Sequence, residues 1–413
     1  MSRVESSQQF IAPEALAVHR IATRLLDGKG ISLLGVALFT LLAPAIITPA
    51  LPGIQAHFRD VPNSALLTKL ILTTPPLFVA LAGPWLGVAM TRLGAKRMLT
   101  WSVLGVGIIG SLGAALSTLP ELLACRAILG VTLVGMMVSS TTLIGDLYRR
   151  QDRMAFLGLQ SATLKLGAVI FTALGGVLAA IGWREAFAGH LITLLALPGV
   201  VLAVPAPARE APRAEQTQPT GLDASFTALV CVVAFFGMVM YFAIPTQVPF
   251  LMTERLHSTP QEIGLLIASS TLFGILTSAT YHWFKSRLRY VAISALAFAA
   301  TAAAFAVLAV AVSAPAMYAA IATVGLAYGL LIPNLSAWML AGTEREQRGR
   351  AIGTLTMALF LGQFFSPLIA QPFVSTSGIG NAPGIAAGSS ALAAILLAVL
   401  SVSRARVELE PVG

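Results

Sequence analysis

Apolar runs about 20 residues long recur along this chain, with short polar turns between them. A helix rises about 1.5 Å per residue, so each run is long enough to cross the ~30 Å hydrocarbon core of a bilayer. Twelve segments fit this ruler: 31–52, 64–90, 99–118, 121–144, 153–180, 186–204, 225–251, 260–283, 290–312, 315–341, 350–374 and 384–403. The pattern predicts an all-α membrane protein with twelve transmembrane helices. The longest polar interval between spans, 205–224, reads PAPAREAPRAEQTQPTGLDA. Its Pro, Glu, Arg and Gln cannot pack a core, so a flexible linker is expected there. The linker separates a six-helix bundle over 31–204 from a second over 225–403, with a cytoplasmic segment at 1–30 and a tail at 404–413. Residues 13–27 read either as a short amphipathic helix at the membrane surface or as a loose tail. Charged residues scattered through 1–29 leave no room for a signal peptide.

Composition narrows the class further. Of 413 residues, 57% are hydrophobic and only 10% are charged, where a soluble domain carries about a quarter charged residues. That is too little charge to cover a water-facing surface, which excludes a soluble enzyme, a nucleic-acid-binding domain and a disordered chain. The net charge of +9 then becomes a question of position. With both termini cytoplasmic, 20 of the 26 Lys and Arg residues fall on the inner side and 3 (Arg59, Arg184, Arg255) on the outer side. The remaining 3, Lys69, Arg126 and Lys165, lie within spans. The positive-inside rule therefore accounts for the charge as topology and contact with the lipid bilayer. A nucleic-acid partner is not needed. Cys125 and Cys231 both sit in apolar runs and read as small core residues.

The two halves echo each other at an offset near 195 residues: the basic turn at Arg92 recurs at Arg287, and Arg153 with Gly158 recurs as Arg348 with Gly353. The turn after the second span runs Gly87-Val88-Ala89-Met90-Thr91-Arg92-Leu93-Gly94-Ala95-Lys96-Arg97. It resembles the signature of the major facilitator superfamily, with Thr91 where that signature carries Asp. Arg126-Ala127-Ile128-Leu129-Gly130 is similar to the family's Arg-x-x-x-Gly element in span four. In span five Gly167 and Gly175-Gly176 match the pattern of drug exporters, whereas Phe171-Thr172 stands in place of its Gly-Pro. The resemblance covers nearly the whole chain. It implies two six-helix pseudo-repeats that rock around a central cavity, with Gly87, Arg92, Gly94, Lys96, Arg97 and Arg287 as gating residues.

Charges inside a span are costly and mark functional sites by default. Lys165 lies about 12 residues into span five, roughly 18 Å deep and close to the midplane. Arg126 lies about six residues into span four, roughly 9 Å deep, where snorkelling or a structural bond is the alternative to substrate contact. Lys69, shallower still, reads as a snorkelling residue. No Asp or Glu falls in mid-span: Glu121, Glu185, Glu254 and Glu262 sit at outer helix ends, and Asp146 and Asp152 at the inner side. Lipophilic cations need a buried carboxylate, so a small organic anion or polar metabolite is the expected substrate. Lys165 and Arg126 are its expected contacts. Gln160, Tyr241, Tyr328, Asn334 and Gln363 are further candidates to line the pathway, with Gln247 and Trp338, and about half of these are expected to join helices instead. His190 and His282 read as packing or interfacial residues.

No metal-ligand cluster, nucleotide loop or hydrolytic triad is present in the sequence, so neither an enzyme nor direct ATP coupling is expected. The leading expectation is secondary-active efflux by a monomer in a bacterial inner membrane, with H+ as the possible coupling ion and no other cofactor. An uptake symporter for an organic anion is the alternative, ahead of a non-transporting sensor.

Overall fold

The computed structural model describes residues 27–148, 150–206 and 222–407, without the side chains of Pro84, Arg150, Gln151 and 403–407. The surface segment expected at 13–27 (save Asp27), most of the linker and the end of the tail lie outside the described residues.

The apolar runs form helices because backbone N–H and C=O groups in hydrocarbon find partners only within the helix itself. We number twelve long helical segments α1 to α12; among the described residues eleven helices are long and apolar enough to cross a membrane, and α3 is not one of them. In the first half these are α1 (Gly28–His57), α2 (Ser64–Leu93), α3 (Ala95–Leu112), α4 (Leu119–Leu147), α5 (Arg150–Ile181) and α6 (Trp183–Leu202). In the second they are α7 (Ala224–Leu256), α8 (Pro260–Ala279), α9 (Tyr290–Val310), α10 (Ala314–Ala341), α11 (Arg348–Ser377) and α12 (Ala382–Val407). A short helix, Tyr281–Lys285, follows α8. Prolines joint α1: its backbone breaks near Thr40 and tightens to a 3-10 turn at Thr48–Ala50. The third span is shorter than its apolar run suggests. It ends at Leu112, and Thr118, expected within it, instead caps α4.

The acids missing from mid-span are used at helix starts. Asp27 accepts from the Gly30 N–H at 2.8 Å and caps α1. Thr118 with Glu121 and Thr259 with Glu262 form capping boxes on α4 and α8, where carboxylates also meet the positive helix end. Cations close the opposite ends. Lys96 donates to the Val201 carbonyl at 2.9 Å, and Arg255 donates to the carbonyls of Leu308, Ala309, Ala311 and Gly380 at 2.7–3.0 Å.

Two separate hydrophobic cores result, one from Leu33 to Val204 and the other from Val230 to Leu397. The repeat seen in the sequence recurs in helix starts: Ala95 and Tyr290, like Leu119 and Ala314, stand 195 residues apart. The halves meet along two seams, α2 against α11 and α5 against α8. One end of the molecule carries the turns between α1 and α2 and between α7 and α8; we call it the vestibule end. The other carries the junction between the halves and is called the linker end.

Candidate functional site

The seams are closed at the vestibule end. On α2, Thr68, Lys69 and residues 71–76 are all buried, and on α8 so are Ile263, Gly264, Leu266–Ala268 and Ser270. The backbones come close there: a Cβ added to Gly176 of α5 would lie 2.8 Å from the Pro260 carbonyl oxygen, and one on Gly264 the same distance from that of Thr172. Toward the linker end the seams loosen. Among the described side chains none is buried over 81–93 of α2 or 271–285, and only Phe156 is over 152–165 of α5. The protein is thus sealed at the vestibule end.

Lys165 lies on the α5–α8 seam midway along its helix. It is half-buried, and its Nζ donates to Ser278 Oγ of the opposite half at 2.8 Å. Ser278 Oγ in turn donates to the Gly329 carbonyl of α10 at 2.9 Å. The ammonium is therefore held by a neutral hydroxyl and retains donors for another acceptor. Gln160, one turn and a half away, donates to Ser140 Oγ of α4 at 3.2 Å. That bond ties two helices of one half.

Arg126 is placed differently from Lys165. It is 1% exposed, turned toward α6, with Nη1 3.3 Å from His190 Nε2 and its guanidinium stacked on Phe187 at 4.5 Å. Among the described residues its Nε and Nη2 find no hydrogen-bond partner. His190 packs on Gly110 of α3, so Arg126 braces the inside of the first half. In the second half Asn334 is 0% exposed and fully engaged. Its Nδ2 donates to the Tyr290 carbonyl at 2.8 Å and to Ser294 Oγ at 3.0 Å, and its Oδ1 accepts from the Tyr281 hydroxyl at 3.2 Å. Tyr328, also buried, donates to the Gly237 carbonyl of α7, and its ring lies 4.5 Å from that of Tyr241. Gln363 and Tyr241 are half-buried.

Lys69 corrects the snorkelling expectation. It is 2% exposed, and its Nζ donates to Gln247 Oε1 of α7 at 2.8 Å and Gln371 Oε1 of α11 at 2.9 Å. Both partners belong to the other half. The Phe250 ring lies 5.2 Å from the same ammonium. Just outside this contact opens a vestibule of about 510 Å³, bordered by Gln55, Arg59, Ser64, Thr253 and Glu254. Gln371 escaped the sequence reading because its partner stands 302 positions away.

The signature turn divides in its roles. Gly94 has φ +85°, a left-handed conformation that requires glycine between α2 and α3. Gly87 does not serve close packing, since a Cβ there would meet nothing within 4 Å. Arg92 and Arg97 are exposed, Lys96 holds α6, and Arg287 stacks over Trp283 at 4.2 Å on its own helical turn.

The family model of the Major Facilitator Superfamily matches residues 33–244 and again 229–412. The chain belongs to the major facilitator superfamily. It is a multi-pass membrane protein of that family. The Efflux pump dotC of Dothistroma septosporum is 31% identical over 39% of this chain and 29% of its own length. The Multidrug efflux protein YfmO of Bacillus subtilis is 24% identical over 62% of the chain and 64% of its length. The matches thus span less than two thirds of these relatives. Among solved structures, the nucleoside transporter NupG superposes with TM-score 0.77 at 13% identity, covering 90% of this chain and 99% of that one. The D-xylose-proton symporter gives 0.72 at 15%, covering 89% and 96%. These likenesses concern the fold.

Proposed function

We propose that this transporter exports a small organic anion or polar metabolite by alternating access, with Lys165 as the anion contact. The observation that carries the reading is the charge inventory of the spans: Lys69, Arg126 and Lys165 lie within them, and no Asp or Glu of the chain falls in mid-span. Of the three cations, Lys165 stands half-buried on a seam between the halves with a neutral hydroxyl as its partner. A carboxylate or phosphate reaching it gains a charge-assisted hydrogen bond, whereas a lipophilic cation is repelled. Efflux as the direction is supported by the names of the curated relatives. The termini belong on the cytoplasmic side of a bacterial inner membrane, from the distribution of Lys and Arg, so the vestibule opens outward. In a proton-linked cycle Lys165 is the mid-span group able to exchange the proton.

Arg126, committed to His190 and Phe187, is assigned to framing the first half. In proteoliposomes, Lys165→Ala should lower anion transport about ten- to a hundred-fold, the worth of one charge-assisted hydrogen bond. The variant should still reach the membrane in normal amount, and Lys165→Arg should retain part of the transport. Undiminished transport by Lys165→Ala sinks the assignment.

A further inference from the structure

The cation expected to snorkel joins the two halves instead. We infer that Lys69, Gln247 and Gln371 form the gate at the vestibule end, an ammonium clasped by two amide oxygens from the opposite half. Both hydrogen bonds, at 2.8 and 2.9 Å, and the Phe250 contact run from α2 to the opposite half, so separating α2 from α7 and α11 breaks all three together. The acceptors are neutral. Removing an ammonium from water is expensive, and amide dipoles return only part of that cost. The closed gate is accordingly favoured by a small margin only, so a change at one partner suffices to shift it. The vestibule of about 510 Å³ lies directly outside, so water reaches the ammonium as soon as the clasp parts. With Oε1 turned to Lys69, the buried Nε2 of Gln247 has no hydrogen-bond partner among the described residues.

This chemistry fixes signs that simple packing does not. Removing one acceptor leaves the ammonium under-coordinated when shut, so Gln371→Leu must favour the open gate. One hydrogen bond from a charged donor corresponds to about a ten- to hundred-fold change in that equilibrium. Removing the cation as well abolishes the desolvation cost, so Lys69→Met combined with Gln371→Leu must close the gate again.

Spin labels at Ser64→Cys on α2 and Thr253→Cys on α7, both bordering the vestibule, report the opening by pulsed electron resonance. The full chain is used, with Cys125 and Cys231 replaced by Ala. Gln371→Leu should shift the distance distribution toward a longer component, and the double variant should restore the parent's short one. A distribution unchanged by Gln371→Leu overturns the proposal, and so does a double variant that stays long. Damage to folding does not reproduce the restoration, and the readout is independent of the substrate.

Discussion

Position along a helix is legible from a sequence, but direction around the helix is not. Counting residues from a helix end placed Lys165 mid-span, and the structure sets it on a seam. The same counting made Lys69 a snorkelling residue because it lies near the start of α2. It missed that the side chain turns toward the other half, where amides 178 and 302 positions distant wait for it. Arg126, read as either a substrate contact or a structural or snorkelling residue, points to His190 within its own half. Asn334 is the clearest instance of a candidate residue whose side chain is taken up by bonds between helices. It joins α10 to Tyr290 and Ser294 of α9 and to Tyr281. Asn334→Leu strands these partners, so unfolding in detergent should show a loss of about 1–3 kcal/mol. The substrate affinity of the folded fraction should stay at the parent's value. A stability equal to the parent's, with affinity lost, would move Asn334 to the pathway.

At the scale of elements, the apolar runs gave the helices well because length and hydropathy are local properties. The errors lie where a local signal of another kind took over. The third span lost its last residues because Thr118 and Glu121 make a capping box, which outweighs the apolar Leu116 nearby. Packing between helices is less legible, since a glycine looks the same whether a neighbour approaches or not. Gly176 and Gly87 show the two cases. An added Cβ at Gly176 runs into the backbone of α8, while at Gly87 it meets open space. Gly176→Ala should therefore cost about 1–3 kcal/mol of stability, as overpacking does. Gly87→Ala should be neutral or slightly stabilising, because alanine suits a helix better. Thermal unfolding of the two purified variants compares them directly, and equal effects would remove the distinction.

On the scale of the whole molecule, the repeat and the charge bias were both readable without coordinates, and they constrain different things. The offset near 195 residues anticipates two bundles with matching helix starts. What the sequence lacked was the conformation, sealed at the vestibule end, because that depends on seams formed by residues far apart in the chain. The distribution of Lys and Arg is the ground for the proposed orientation, with both termini cytoplasmic. A tag fused to the C-terminus should resist protease added to intact cells and be cleaved in inverted vesicles; the reverse pattern contradicts the assigned topology.

The proposed substrate is an anion, selected by spans that hold cations and no mid-span acid. Counterflow in proteoliposomes tests this selection most directly, with the unmodified protein and a panel of labelled organic anions, neutral metabolites and lipophilic cations at imposed pH gradients. At least one anion should exchange, unlabelled anions should compete with it, and lipophilic cations should neither exchange nor compete. Exchange of lipophilic cations with no response to any anion would contradict anion selection.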